Sequence, residues 1–221
     1  GGVPVSAALP ATVLEETPYF IFQEAVLEPL ESFDLILMRK DPPVDVAYLY
    51  ATEILSLAPK KVWVINNPAT LRDLNEKLAI LLFPDFIPQT IVTASPEEID
   101  RFVGRMGGKG IAKALDSFAS LKIRKLSRED ENYAESARAL TQNGRLPVMI
   151  QEFLPVEKGE KRVFLIDGTP WGAFMRVPRP GSYLTNPDMG GTLQRTTLTR
   201  REEEISREVA REMDKRGVFF A

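Results

Sequence analysis

The chain has 221 residues, 44% hydrophobic and 27% charged, a composition that supports one large or two small buried cores. Its net charge of −3 excludes a global basic field that would draw it to nucleic acid. Cysteine and histidine are both absent, which excludes disulfides, thiolate nucleophiles, Cys/His zinc sites and any Ser-His-Asp relay. The chemistry left open uses Lys, Arg, carboxylates, backbone amides or an oxygen-bound metal. The longest apolar runs, such as "LAILLF" at 78–83, fall short of the roughly 18–20 residues of a membrane-spanning helix. No basic segment followed by an apolar one opens the chain, so no secretion signal is expected. It also lacks an initiator Met, so the true N-terminus is expected elsewhere.

In chain order, "FDLILM" at 33–38 reads as a central parallel strand covered on both faces. It runs into Arg39, Lys40 and Asp41 and then a rigid Pro-Pro step, an unusual end for a buried strand. "DVAYLYATEILSLA" at 45–58 reads as a helix and "KVWVIN" at 61–66 as the next buried strand. "NNP" at 66–68 is a turn. "ATLRDLNEKLAILLF" then places Leu71, Leu74, Leu78, Leu81 and Leu82 on one helical stripe. "QTIVTA" at 89–94 is a third strand, and Ser95-Pro96 starts a helix that ends near Gly104. This β-α-β-α-β order predicts an α/β half ending around residue 90.

The second half alternates differently. "GIAKALD", "LKIRKL", "PVMIQEFL", "KRVFLID" and "WGAFMRV" read as strands, the last two joined by a turn at Asp167-Gly168. One helix lies near 130–142. Another spans 199–217, capped by Thr199 and stopped by Gly217. Between them "PRPGSYLTNPDMGGTLQ", 178–194, is Pro- and Gly-rich and reads as a long mobile loop of the lid type. The final "VFFA" reads as a strand just starting.

Several residues have more than one reading. "GRMGGKG" at 104–110 fits a phosphate loop poorly, because it follows a helix, opens a strand and has no Ser or Thr after Lys109. Lys113, between Ile111 and Leu115 on one strand face, must snorkel out, lose its proton or meet an anion. Lys77 borders the leucine stripe and is either a solvated helix lysine or a cation over a cleft. "MIQEFLP" at 149–155 is either a strand leaving its sheet or a hinge whose backbone meets a planar base. Arg176, at the end of an apolar strand, is either a surface ion-pair partner or a bidentate clamp for a carboxylate or phosphate.

The order "LILMRKDPPVD", "INNPATLRDLNEKL", "IPQTIVT", "AKALD", "QEFLP", "EKRVFLIDG" and "MRVPRPG…MGG" closely resembles bacterial glutathione synthetases of the ATP-grasp superfamily, over nearly the whole chain. The resemblance implies an α/β fold, α+β in its second half: an ATP-grasp fold preceded by a partial Rossmann-like parallel-sheet domain. It implies a substrate domain over 1–90, a central ATP-grasp subdomain over 91–147 and a C-terminal one over 148–221. The implied reaction joins γ-glutamylcysteine to glycine through an acyl phosphate, with ATP split to ADP and phosphate in the presence of Mg²⁺. That chemistry needs neither Cys nor His; it needs positioning and positive charge.

By the same resemblance Lys77 and Lys113 hold the ATP phosphates, Gln151, Glu152, Phe153 and Leu154 form the adenine hinge, and Glu160 meets the ribose. Lys161, Arg162 and Arg176 line the side where charge develops. Arg39, Lys40 and Asp41 face the peptide substrate at the carboxyl end of a parallel strand. Metal ligands are expected beyond Ala221, with none in this chain, and part of the first βαβ unit before Gly1, so that this chain by itself is expected to be inactive. A cytoplasmic location and symmetric homo-oligomers are implied, with no nucleic-acid or membrane partner. One departure stands out: where the family reads Lys-Pro-Leu-Asp-Gly-Met-Gly-Gly, this chain has "KALDSFAS" at 113–120. Two rival readings remain: an ATP-grasp ligase with another acceptor, and a non-catalytic nucleotide- or peptide-binding α/β protein.

Overall fold

The computed structural model of the protein describes residues 3–40, 43–115 and 123–221. The chain begins with a ribbon that its sequence pattern does not announce. Strands β1 (Val5–Ala8) and β4 (Val26–Pro29) pair antiparallel, as do β2 (Ala11–Val13) and β3 (Phe20–Phe22) between them. Val13 and Leu27 are 82% and 75% exposed. A ribbon without a buried face has no in/out alternation to read.

Next come β5 (Leu35–Leu37), α1 (Val46–Leu55) and β6 (Trp63–Ile65), with β5 and β6 paired in parallel. The Asp45 side chain accepts from Tyr48 N and caps α1. The expected coverage on both faces does not hold, because Leu35 and Leu37 are exposed. The long helix expected over 69–83 is also absent. Instead α2 (Pro68–Asp73) stops, and a separate 3-10 turn covers Leu78–Leu82. Asn75 is the reason: its Oδ1 accepts from Lys77 N and Leu78 N, replacing the helical carbonyl partners. Its Nδ2 meanwhile donates to Leu115 O.

The third strand of the expected parallel unit goes to another sheet. The following elements are β7 (Thr90–Thr93), α3 (Pro96–Arg105), β8 (Lys109–Ala114), β9 (Ile123–Ser127), α4 (Tyr133–Leu140) and β10 (Val148–Glu152). Their strands form an antiparallel sheet in the order β7-β10-β8-β9. α3 lays Ile99, Phe102 and Val103, one helical stripe, against this sheet, and they join Ala112, Leu126, Ala137, Val148 and Ile150 in the main core. Each larger side chain there contributes about 1.5–3 kcal/mol by burial.

The remaining sheet contains β11 (Glu160–Ile166), β12 (Thr169–Val177) and β13 (Thr192–Arg195) in that order, with α5 (Arg200–Lys215) packed on β12. The expected Asp167-Gly168 turn joins β11 to β12, both residues at positive φ (48° and 66°), as a tight hairpin of right-handed twist requires. The segment 178–194 is better anchored than its composition predicts. Thr185 and Asn186 are buried, Pro187–Met189 forms a 3-10 turn, and β13 pairs with β12. Gly191 lies against the Thr185 carbonyl so closely that any Cβ would clash, which packs the segment onto itself. At the C-terminus Leu165 and Ala221 exchange backbone hydrogen bonds, so 219–221 runs beside β11.

Candidate nucleotide and phosphate site

Antiparallel register assembles the site. In the four-stranded sheet Gln151 stands opposite both Thr90 and Ile111, and Lys113 lies two residues further along β8 on the same face. Lys113 Nζ donates to Gln151 Oε1 at 2.6 Å. Gln151 is 3% exposed, and its Nε2 donates to Thr90 Oγ1 at 2.9 Å, while the Thr90 hydroxyl donates to Pro88 O. In the other sheet Glu160 stands opposite Arg176, with Arg162 two residues along on the same face. Glu160 Oε1 accepts from Arg162 Nε at 3.2 Å and lies 3.8 Å from Arg176 Nη1.

These two faces border one cleft of about 800 Å³. Lys77, Lys113, Arg162 and Arg176 supply its cations, and Glu76, Glu152, Glu160 and Asp188 its carboxylates. Burial pushes the Lys113 ammonium below its ordinary pKa; Glu160 opposes that shift, while Lys77 and Arg162 add to it. Among the described residues its hydrogen-bond partner is a neutral amide. Burial likewise lowers Arg176, helped by Arg162 and opposed by Glu160 and Asp188. The Arg176 Nε is buried with no hydrogen-bond partner among the described residues. Two desolvated cations that share the Glu160 carboxylate favour an incoming anion.

At the far end β10 stops at Glu152, and Phe153 and Leu154 leave the sheet to line the cleft. Lys125 Nζ sits 4.6 Å from the Phe153 ring centroid, and Tyr183 meets that ring edge-on. The cleft therefore joins an aromatic, apolar patch to lysines and arginines interleaved with carboxylates, a combination suited to a planar base joined to phosphate.

Of the residues singled out from sequence, Lys77, Lys113, Gln151, Glu152, Phe153, Leu154, Glu160, Arg162 and Arg176 all border this cleft. Lys161 does not. Its neighbours along β11 point into the cleft, so strand alternation turns it away, and Lys161 Nζ bonds Thr197 O and Glu202 Oε2 at the start of α5. Arg39 and Lys40 are exposed beyond β5 and outside the cleft lining, and Asp41 lies outside the described residues, as do 116–120 of "KALDSFAS". Sequence reasoning missed Thr90, Ile123, Tyr183 and Asp188. Strand pairing brings Thr90 and Ile123 to the site and the folded 178–194 segment brings Tyr183 and Asp188, and no local pattern marks either. Among the described residues no group of three or more carboxylates forms a metal site. No helix among them is long and apolar enough to cross a membrane.

Residues 2–72 match the prokaryotic glutathione synthetase N-terminal domain, and residues 76–221 the ATP-grasp domain of the same enzymes. A glutathione synthetase of Synechococcus elongatus is 40% identical over 92% of this chain and 63% of its own length. Those of Nostoc sp. (39%; 92% and 63%) and Parasynechococcus marenigrum (38%; 100% and 71%) are similar. The chain thus spans about two thirds of the length of the curated relatives it matches. Among solved structures, the D-cycloserine synthetase DcsG superposes with a TM-score of 0.63 at 16% identity, over 86% of this chain and 69% of that one. The macrocyclase MdnC of Microcystis aeruginosa, bound to its precursor peptide MdnA, gives 0.60 at 12% identity (96% and 72%). At those identities the likeness carries the fold alone, and the fold is ATP-grasp. With both of its domain types matched and relatives at 38–40% identity, the chain belongs to the prokaryotic glutathione synthetase family.

Proposed function

We propose that this chain carries the nucleotide site of an ATP-dependent carboxylate–amine ligase that joins γ-glutamylcysteine to glycine. The observation that carries this reading is Lys113, a partly buried ammonium lining the cleft, whose hydrogen-bond partner among the described residues is a neutral amide. Lys77 and Lys113 hold the nucleotide phosphates. Gln151, Glu152, Phe153 and Leu154 take the adenine, and Glu160 the ribose. Arg39, Lys40 and Asp41 meet the dipeptide. Lys161, which the resemblance set beside Arg162 and Arg176 in the ATP site, acts instead on the N-terminus of α5, a reading supported by its bond to Glu202.

In the reaction the dipeptide's terminal carboxylate oxygen attacks the γ-phosphorus of ATP. The bond to the bridging oxygen breaks and ADP leaves. The glycine amine then attacks the acyl carbon of the acyl phosphate, the C–O bond to phosphate breaks, and the amine sheds its proton. Arg162 and Arg176 stabilise the negative charge that gathers on the transferring phosphoryl group and on the leaving phosphate. Mg²⁺ neutralises nucleotide charge when bound. The described residues form no carboxylate cluster to hold it, and no residue role here depends on it. ATP and a free-thiol dipeptide place the reaction in the reducing cytoplasm. Symmetric homo-oligomers complete the reading.

The test is ADP release from ATP, Mg²⁺ and γ-glutamylcysteine, with and without glycine, by a version of the protein extended to the length of the curated relatives it matches. Glycine-dependent ADP release with glutathione as product is the expected result. ATP binding without glycine-dependent turnover would instead favour a binding protein or a ligase for another acceptor.

A further inference from the structure

Thr90 is not among the residues to which sequence or resemblance assigns a role, yet it determines which way a buried amide points. Its hydroxyl has one proton, and that proton goes to Pro88 O at 2.7 Å. Towards Gln151, Thr90 Oγ1 can therefore only accept, and it takes the Nε2 hydrogen at 2.9 Å. This turns Gln151 Oε1 toward Lys113, whose ammonium donates to it at 2.6 Å. The reverse orientation would set the amide NH₂ against an ammonium and the amide oxygen against a hydroxyl with no proton to give. Gln151 is 3% exposed, so solvent offers no compensation for such a mismatch.

An amide oxygen has two lone pairs. Lys113 occupies one, which leaves the other for a group in the cleft that Gln151 lines beside Phe153 and Leu154. We propose that Thr90 is a positioning residue for purine selection: by locking the Gln151 amide it presents an acceptor to the cleft, which welcomes a purine bearing an exocyclic amine and rejects one bearing a carbonyl at that position. The inference rests on the nucleotide reading above.

The test measures ATP and GTP affinity of the full chain and of Thr90→Val, Thr90→Ala and Thr90→Ser, with thermal unfolding midpoints taken without nucleotide. Wild type and Thr90→Ser are expected to favour ATP. Thr90→Val, which keeps the shape but loses the hydroxyl, is expected to lose about 5- to 20-fold of that preference, the scale of one misdirected buried hydrogen bond. Thr90→Ala removes the same hydroxyl without a branched methyl and stands in if the valine variant does not fold. A wild type that favours ATP, with the preference intact in the folded hydroxyl-less variant, overturns the Thr90 role and leaves the nucleotide reading standing. A wild type that binds neither nucleotide overturns both.

Discussion

Asn66 and Phe220, 154 positions apart, are joined side chain to backbone: Asn66 Nδ2 donates to Phe220 O at 2.9 Å. Asn66 Oδ1 in turn accepts from both Phe219 N and Phe220 N. One amide thus satisfies three backbone groups of the C-terminal segment, tying the end of β6 to the strand that runs beside β11. Thr70 Oγ1, which donates to Arg216 O, and Asn67 N, which donates to Gly217 O, reinforce the same junction.

Asn66→Ala leaves those three groups to partial solvation and is expected to cost about 1–3 kcal/mol. Urea unfolding measures it. An alanine variant as stable as wild type would remove the junction from the account.

Lys113 separates stability from binding. Its depressed pKa means that the unfolded chain holds more protons than the folded one between that value and 10.5. Stability therefore rises with pH across that window. Lys113→Met is expected to lose this rise and to keep or gain stability at neutral pH, while nucleotide affinity falls about 10- to 100-fold, the scale of a charge-assisted hydrogen bond. Paired unfolding and nucleotide titrations check both arms, and unchanged affinity would count against a phosphate role.

Glu202 gives a pH dependence of the opposite origin. Hydrogen bonds from Lys161 first, and from the Thr199 backbone, bring its carboxyl from 4.5 down to about 2. Between those values the unfolded chain binds more protons, so the contribution is fully present above pH 4.5 and is lost as pH falls through about 2. The Glu202 side chain is 36% exposed, and screening limits the effect to about 1 kcal/mol or less. Glu202→Gln is expected to flatten the stability profile over that interval. Equal slopes in the two proteins would show that the pair contributes nothing.

Gly191→Ala tests the anchoring of the segment over the cleft. An added Cβ would clash with the Thr185 carbonyl, and Thr185 and Asn186 border the cleft. The expected cost is about 1–3 kcal/mol, with weaker nucleotide binding. Gly172→Ala, whose Cβ would meet open space, is the control. Equal effects from both substitutions would place the strain elsewhere.

The parts of the fold legible in sequence are those encoded within a few neighbouring residues. Ser95 with Pro96, and Thr199 with Glu202, cap helices through contacts three residues long, and both starts stand where the local pattern puts them. The strands around Lys113, Gln151 and Arg176 alternate strongly enough to be found, and the cleft collects the side chains they carry. Legibility failed where a side chain competed with the backbone, as Asn75 does in breaking the leucine stripe, and where no buried face exists, as in the ribbon over 5–29.

Sequence alone therefore determined the helix starts at Ser95 and Thr199, the strands that carry most of the cleft's side chains and, through motif order, the family. Tertiary structure decided the partners. It moved β7 from the expected parallel unit to the edge of the antiparallel sheet, which sets Thr90 against Gln151 across 61 positions. It also turned Lys161 away from the cleft and onto α5. Caps and periodicity are properties of a contiguous stretch, whereas strand order and side-chain pairing depend on which distant surfaces bury each other, and that choice is made only when the whole chain packs.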